Sequence, residues 1–301
     1  DSLFVRYSYG QDVLIKASLF TNLPAGSGSG VNPQHPRGEA VGYTHIFTAK
    51  LVNEFRCGHI YDFYGYIPPF GNIPVSANLG IVNANRNANL GGGAAINGGT
   101  LAYTGDGGQY TVPQSSNQFV DNLSWIHGRH SLKIGTSIEK RQVSFFHGSN
   151  NKGLFDFSGK QFTGFSMSDM VAGFAGSYSI GVADRYFITQ NWETGYFAQD
   201  DWKVTPRLTL NLGLRYDLFT FPYEVNNNQS DFDLATQTLQ VAGANGISRS
   251  IVHTNFKNFA PRVGFAYDLT GEGKTVLRGG YGIYYFLDRG GVGKQLSSNP
   301  D

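Results

Sequence analysis

Along residues 208–219, LTLNLGLRYDLF, every second side chain is apolar: Leu208, Leu210, Leu212, Leu214, Tyr216 and Leu218. The positions between them are Thr209, Asn211, Gly213, Arg215, Asp217 and Phe219. A period of two marks a β-strand that keeps one face out of water. The alternation returns along most of the chain, in LVNEFRCGHIYDF, NFAPRVGFAYDL and TVLRGGYGIYYFL among others, and helical periodicity is nearly absent. About nine strands of about 12–15 residues are expected, longer than the five or six residues of an ordinary soluble strand. Two architectures give such ribbons. A soluble β-sandwich turns the apolar side inward, and a transmembrane β-barrel turns it outward.

The connectors separate the two. TAKLV (48–52), HGRHS (127–131), VTPRL (204–208) and TGEGKT (270–275) are short turns. Between them run long connectors, approximately 13–40, 66–117, 147–187 and 222–257, loaded with Gly, Asn, Ser and Pro. Short and long connectors therefore alternate, which gathers all the long ones at one end. Membrane barrels have short turns on one side and long loops on the other; a sandwich has no reason for it. The expected fold is all-β, an antiparallel transmembrane barrel segment with its long loops outside the cell. A short helical turn is expected at SMSDMVAGF, covering the mouth.

The polar faces carry Arg6, Glu54, Arg56, Asp62, Lys133, Glu139, Arg141, Glu193, Asp201, Lys203, Arg215, Asp217, Arg262, Asp268 and Arg278, with small residues between them. That texture suits a hydrated lumen. Two roles are open for these groups: a wall paired across strands, or a surface gripping whatever fills the lumen. The opposite faces carry Leu210, Leu212, Leu214, Phe265, Tyr267 and Trp192 as lipid-facing positions. Trp125 and Trp202 each precede a short turn, as members of an aromatic girdle at one membrane interface.

Composition agrees. Of 301 residues, charged ones make up 15%, below the roughly 25% of a soluble domain, and aromatics are high at 14%. No apolar run is long enough for a membrane-spanning helix. The balance of 23 Lys and Arg against 22 Asp and Glu gives nucleic acid no electrostatic hold. The single cysteine, Cys57, excludes an internal disulfide and falls on the apolar face beside Phe55.

No catalytic constellation is found, so no enzyme, cofactor or metal site is expected. GEGKT (271–275) lacks the first glycine of a phosphate loop, because Asp268 stands there, and a strand follows it instead of a helix. His127 and His130 flank a turn with no third metal ligand near in sequence. Asp200 and Asp201 are adjacent on a strand and so point to opposite faces, which prevents their sharing a proton. TGDGG (104–108) offers a calcium ion one carboxylate.

NWETGYFAQDDWKVTPRLTLNLGLRYDLF resembles the FxQDxW…LTLxxGLRY hairpin of TonB-dependent outer-membrane receptors. NFAPRVGFAYDLTGEGKTVLRGGYGIYY resembles the hairpin that follows it in that family. With VGYTHIFTAKLVNEFRCGH and DNLSWIHGRHSLKIGTSIEKRQV, the likeness extends to the Oar-like subgroup and covers nearly the whole chain outside the long connectors. The resemblance implies energised uptake of a scarce, large ligand across the bacterial outer membrane. The partners it implies are outer-membrane lipid, an own plug domain and TonB. Ligand choice would lie in connectors 66–117, 147–187 and 222–257. An Oar-like role in adhesion or protein export, and a soluble glycan-binding sandwich, are the alternatives. The family's plug, N-terminal carboxypeptidase-regulatory-like domain and C-terminal strands are not recognised in 1–301. The expectation is therefore a partial barrel, an open curved sheet with two free edges.

Overall fold

The computed structural model describes residues 1–17, 29–86, 90–99, 105, 109–147, 150–159, 161–181 and 185–287. In chain order the strands are β1 (Ser2–Tyr9), β2 (Asp12–Lys16), β3 (Gly30–Gln34), β4 (Arg37–Thr48), β5 (Leu51–Tyr66), β6 (Ala95–Asn97), β7 (Tyr110–His127) and β8 (His130–His147). There follow β9 (Leu154–Asp156), β10 (Ser177–Ser179), β11 (Arg185–Lys203), β12 (Leu208–Phe219), β13 (Tyr223–Glu224), β14 (Ser230–Asp233), β15 (Thr238–Val241), β16 (Phe259–Asp268) and β17 (Val276–Gly282). Two short helices, α1 (Val75–Asn78) and α2 (Ser166–Ala172), interrupt the long connectors. The second stands where SMSDMVAGF places a helical turn.

Nine long strands form one antiparallel path, β1-β4-β5-β7-β8-β11-β12-β16-β17. All four short turns lie at one end of it and all long connectors at the other. Each turn has a local chemical reason. After β11, the Thr205 hydroxyl accepts from the amides of Arg207 (3.2 Å) and Leu208 (3.0 Å) and reverses the chain. After β16, the Asp268 carboxylate accepts from the amides of Thr270 (3.2 Å), Gly271 (3.0 Å) and Gly273 (2.7 Å). Gly271, at φ 77°, adopts a backbone that a side chain would resist. GEGKT is thus a hairpin turn.

Two expectations are corrected. The strands reach 18 residues in β7 and β8 and 19 in β11, well past 12–15. Residues 110–117 and 37–40, read as connector, belong to β7 and β4, and the first long connector holds the β2–β3 hairpin. Among the described residues, β1 pairs only with β4 and β17 only with β16, so the sheet stays open at both edges.

Register places directly opposed residues on one face. Leu208, Leu210, Leu212 and Leu214 oppose Tyr267, Phe265, Val263 and Pro261 across β12 and β16. Among the described residues this face has no protein against it: Leu214 is 50% exposed, Val263 52%, Ile134 54% and Phe119 50%. A sandwich would have buried these side chains first. Buried apolar groups instead lie mainly among the long connectors, as at Leu90, Phe157, Ala242 and Ile251.

Candidate functional site: the polar face of the sheet

Glu139 of β8 and Glu193 of β11 are directly opposed. Two like charges at that spacing repel, and like pairs directly opposite destabilise a sheet. Arg141 resolves the conflict: its Nη2 lies 2.8 Å from Glu139 Oε1 and its Nε 3.6 Å from Glu193 Oε1. Ser116 donates to Glu139 at 2.7 Å and Asn191 to Glu193 at 3.2 Å. Beside them Arg215 donates from Nε to Asp217 at 2.7 Å and from Nη2 to Ser137 at 3.3 Å. Its guanidinium lies across Gly195, where any Cβ would collide with it. The small residues between charges are therefore clearances for long side chains lying flat on the wall.

The other sequence-selected charges behave differently. Asp62 accepts from Gln114 at 3.2 Å and Asp201 from Asn211 at 2.6 Å. Arg262 packs its guanidinium 4.5 Å from the centre of the Tyr284 ring. Arg6 reaches, among the described residues, only Ser8, two positions along its own strand. Among the described residues, Glu54, Arg56, Lys133 and Arg278 make no side-chain hydrogen bond or ion pair. Glu54, Arg56 and Lys133 line one hollow of roughly 770 Å³ with Phe4 and Gln118. Asp268 is spent on its turn, so its carboxylate serves the hairpin before anything in the lumen. Lys203 stands opposite Thr209 on this same face.

On the apolar face Trp125 and Trp202 both lie at the short-turn end. Trp192 shares their side of the sheet, ten residues from Trp202 along β11, with Lys140 Nζ 5.5 Å from its ring centre. Ten residues span roughly 33 Å of strand, which at a tilt near 40° is roughly 25 Å of height, the height of a barrel's apolar band. Trp192 and Trp202 are thus separated along the sheet by about the height of such a band. Asp200 and Asp201 do part company: Asp200 meets His130 Nδ1 at 2.6 Å on the apolar side, and Asp201 meets Asn211 on the polar side. His130 stacks on Trp202 at 5.4 Å while His127 leans on Trp125 at 5.0 Å. Cys57, opposite Phe119 on the apolar face, is half-buried.

The long-connector end holds carboxylates that alternation could not reveal. Glu224, with no exposed surface, accepts from the amides of Ile188 (3.3 Å), Asn226 (2.7 Å) and Asn228 (2.9 Å). Arg249 donates to Val225 O at 2.6 Å and covers the Tyr223 ring at 4.5 Å, which closes the knot. A lone acid ahead of the uncharged run VNNNQ was the available signal. Asp169 of α2 accepts from the Thr163 hydroxyl (2.6 Å) and from the amides of Thr163 (2.7 Å) and Phe162 (3.3 Å). TGDGG falls largely outside the described residues.

The Thr163 hydroxyl, opposed by burial and helped by the backbone amides, holds Asp169 below its ordinary 3.8. A carboxylate whose folded pKa is depressed contributes stability above its unfolded value and loses it as pH falls through the lowered one. The 161–174 turn should accordingly stay closed at neutral pH and loosen only below pH 3.8. Amide exchange at Phe162 and Thr163, corrected for its intrinsic rate, checks this; protection already lost at pH 5 would contradict it.

Across residues 1–301 the chain matches the family model described as "Outer membrane beta barrel domain". No curated protein matches it. Among solved structures it is similar to the ferripyoverdine receptor of the outer membrane of Pseudomonas aeruginosa, at 15% identity and a TM-score of 0.48, covering 89% of this chain and 31% of that one. It is similar to the siderophore receptor PiuA from Acinetobacter baumannii, at 12% identity and a TM-score of 0.42, covering 89% and 38%. A third is the outer membrane transporter YddB from Escherichia coli, at 13% identity and a TM-score of 0.42, covering 95% and 30%. The chain spans about a third of the length of these structures.

Proposed function

The chain belongs to the outer membrane beta barrel domain family and so to the bacterial outer membrane, and from that premise we propose that it is part of the barrel wall of a TonB-dependent transporter. The apolar face meets lipid and the polar face lines the lumen. Further strands complete the ring, because backbone groups at the free edges of β1 and β17 need partners inside a bilayer. A plug fills the lumen, TonB moves it at the expense of the inner-membrane gradient, and the long connectors capture the ligand outside. The reading contains no catalytic step.

One observation carries it, the division of labour on the polar face. Arg141 with Glu139 and Glu193, and Arg215 with Asp217, satisfy one another and brace the wall, whereas Glu54, Arg56 and Lys133 surround an open hollow with their charges unspent. These are the groups we assign to the plug. The experiment is uptake by the full-length receptor, over a panel of ferric siderophores, cobalamin and oligosaccharides, with TonB present and deleted. Uptake that needs TonB and falls at least tenfold in the double reversal Glu54→Arg/Arg56→Glu, with barrel insertion intact, is expected. Surface binding that ignores TonB and the reversal would support adhesion or export instead.

A further inference from the structure

The rim formed by the short turns carries a row of cations, most of which have no carboxylate partner. Lys50 sits in the β4–β5 turn, Arg129 in the β7–β8 turn, Arg207 in the β11–β12 turn and Lys274 in the β16–β17 turn, so every short turn contributes one. The acids nearby are already engaged. Glu272 pairs with Lys274 at 2.8 Å, Asp200 with His130 at 2.6 Å, Asp1 with His45 at 3.0 Å, and Asp268 holds its turn. Lys50, Arg129 and Arg207 remain exposed and without a carboxylate.

The two arginines lie along the rim. Arg129 Nη1 donates to Val204 O at 3.0 Å, reaching from its own turn to the next. Arg207 extends in the same sense and packs its guanidinium against Gly271, so closely that a Cβ there would strike it. Each arginine spends little of its five-donor fork on these contacts. Just inward, on the lipid side, stand Trp125 and Trp202, the residue type that settles at headgroup depth. The cations therefore sit about one residue layer beyond the apolar border, at the level where phospholipid phosphates lie.

We propose that this rim is a docking surface for anionic phospholipid headgroups of the adjoining leaflet, with Lys50, Arg129 and Arg207 as the phosphate-binding groups. Near a bilayer surface each such cation strengthens attraction to anionic lipid about fivefold. Three of them give a preference that zwitterionic lipid cannot match. The inference rests on the lipid-facing assignment of the apolar side made above, and the orientation of the rim can be checked separately. In intact cells a Lys50→Cys variant of the full-length protein should resist a membrane-impermeant maleimide and react after the outer membrane is opened.

The test measures association of spin-labelled phosphatidylglycerol and phosphatidylcholine with the full-length protein in phosphatidylcholine vesicles. Phosphatidylglycerol should be preferred at least fivefold, and the preference should fall to near unity in Lys50→Gln/Arg129→Gln/Arg207→Gln. Arg6→Gln/Arg278→Gln, on the polar face, should keep it. Heat-modifiable mobility on a gel reports that each variant has folded and inserted. A folded wild type with no preference, or a triple variant that retains it, overturns the proposal and leaves the membrane assignment standing. A preference abolished by millimolar inorganic phosphate would assign the cations to a free anion and overturn it as well. Wild-type protein that failed to insert at all would remove both readings.

Discussion

Leu214→Arg should cost the inserted barrel about 2–4 kcal/mol, the range for a cation at mid-depth on a barrel's lipid face. Leu214 opposes Ala198 across β11, and Ala198 stands roughly midway between Trp192 and Trp202. An arginine there has no water and too far to reach to either interface, and the carboxylate diagonal to it on the same face, Asp200, is already held by His130 at 2.6 Å. Leu214 itself is half-exposed, and on the proposed reading the exposed half meets lipid. Gln199→Arg makes the informative contrast, because Gln199 opposes Lys133 and Gly213 on the polar face and should accept the change within about 0.5 kcal/mol. Urea unfolding from vesicles, followed by gel mobility, compares the two. A tolerated Leu214→Arg beside a destroyed Gln199→Arg would mean that the sheet is inside out relative to this account.

How far the sequence alone reaches is set by the membrane itself. Where one face is apolar and the other polar, the pattern is unambiguous, and β12 could be read to the residue and β16 to within one residue at each end. Above the apolar band both faces are wet, and the signal vanishes. Residues 110–117, YTVPQSSN, keep their strand through a ladder with β5 along their whole length and with β8 from Gln114 on; their side chains say little about it. That is why β7 was expected to start later. The polar face was legible as a set of charges but not as pairs, since Arg141 meets Glu193 only through the register of two strands that lie far apart in sequence. Glu224 was illegible for a stronger reason: its ligands are backbone amides, which every sequence possesses. Asp268 looked like its neighbours on alternation and differs because it ends a strand, where a carboxylate finds turn amides within reach.

Replacing Arg141 by leucine should reveal what holds the wall together. The substitution leaves Glu139 and Glu193 opposed with side chains 15% and 12% exposed. Two charges about 5 Å apart at an effective dielectric near 20 repel by about 3 kcal/mol, less whatever salt in the lumen screens. A loss of about 2–3 kcal/mol in folded stability is expected, larger than an exposed ion pair ever returns. A second substitution should rescue the first. Glu139→Gln in the Arg141→Leu background removes the repulsion and keeps an acceptor for Ser116, so most of the loss should return. Glu139→Gln alone should cost about 1 kcal/mol or less, because Arg141 retains Glu193. The resulting coupling, about 2 kcal/mol across the cycle, is far above the few tenths found between independent sites. Simple additivity would show that these three side chains are held apart by water or by a plug, and that backbone ladders alone keep β8 and β11 together.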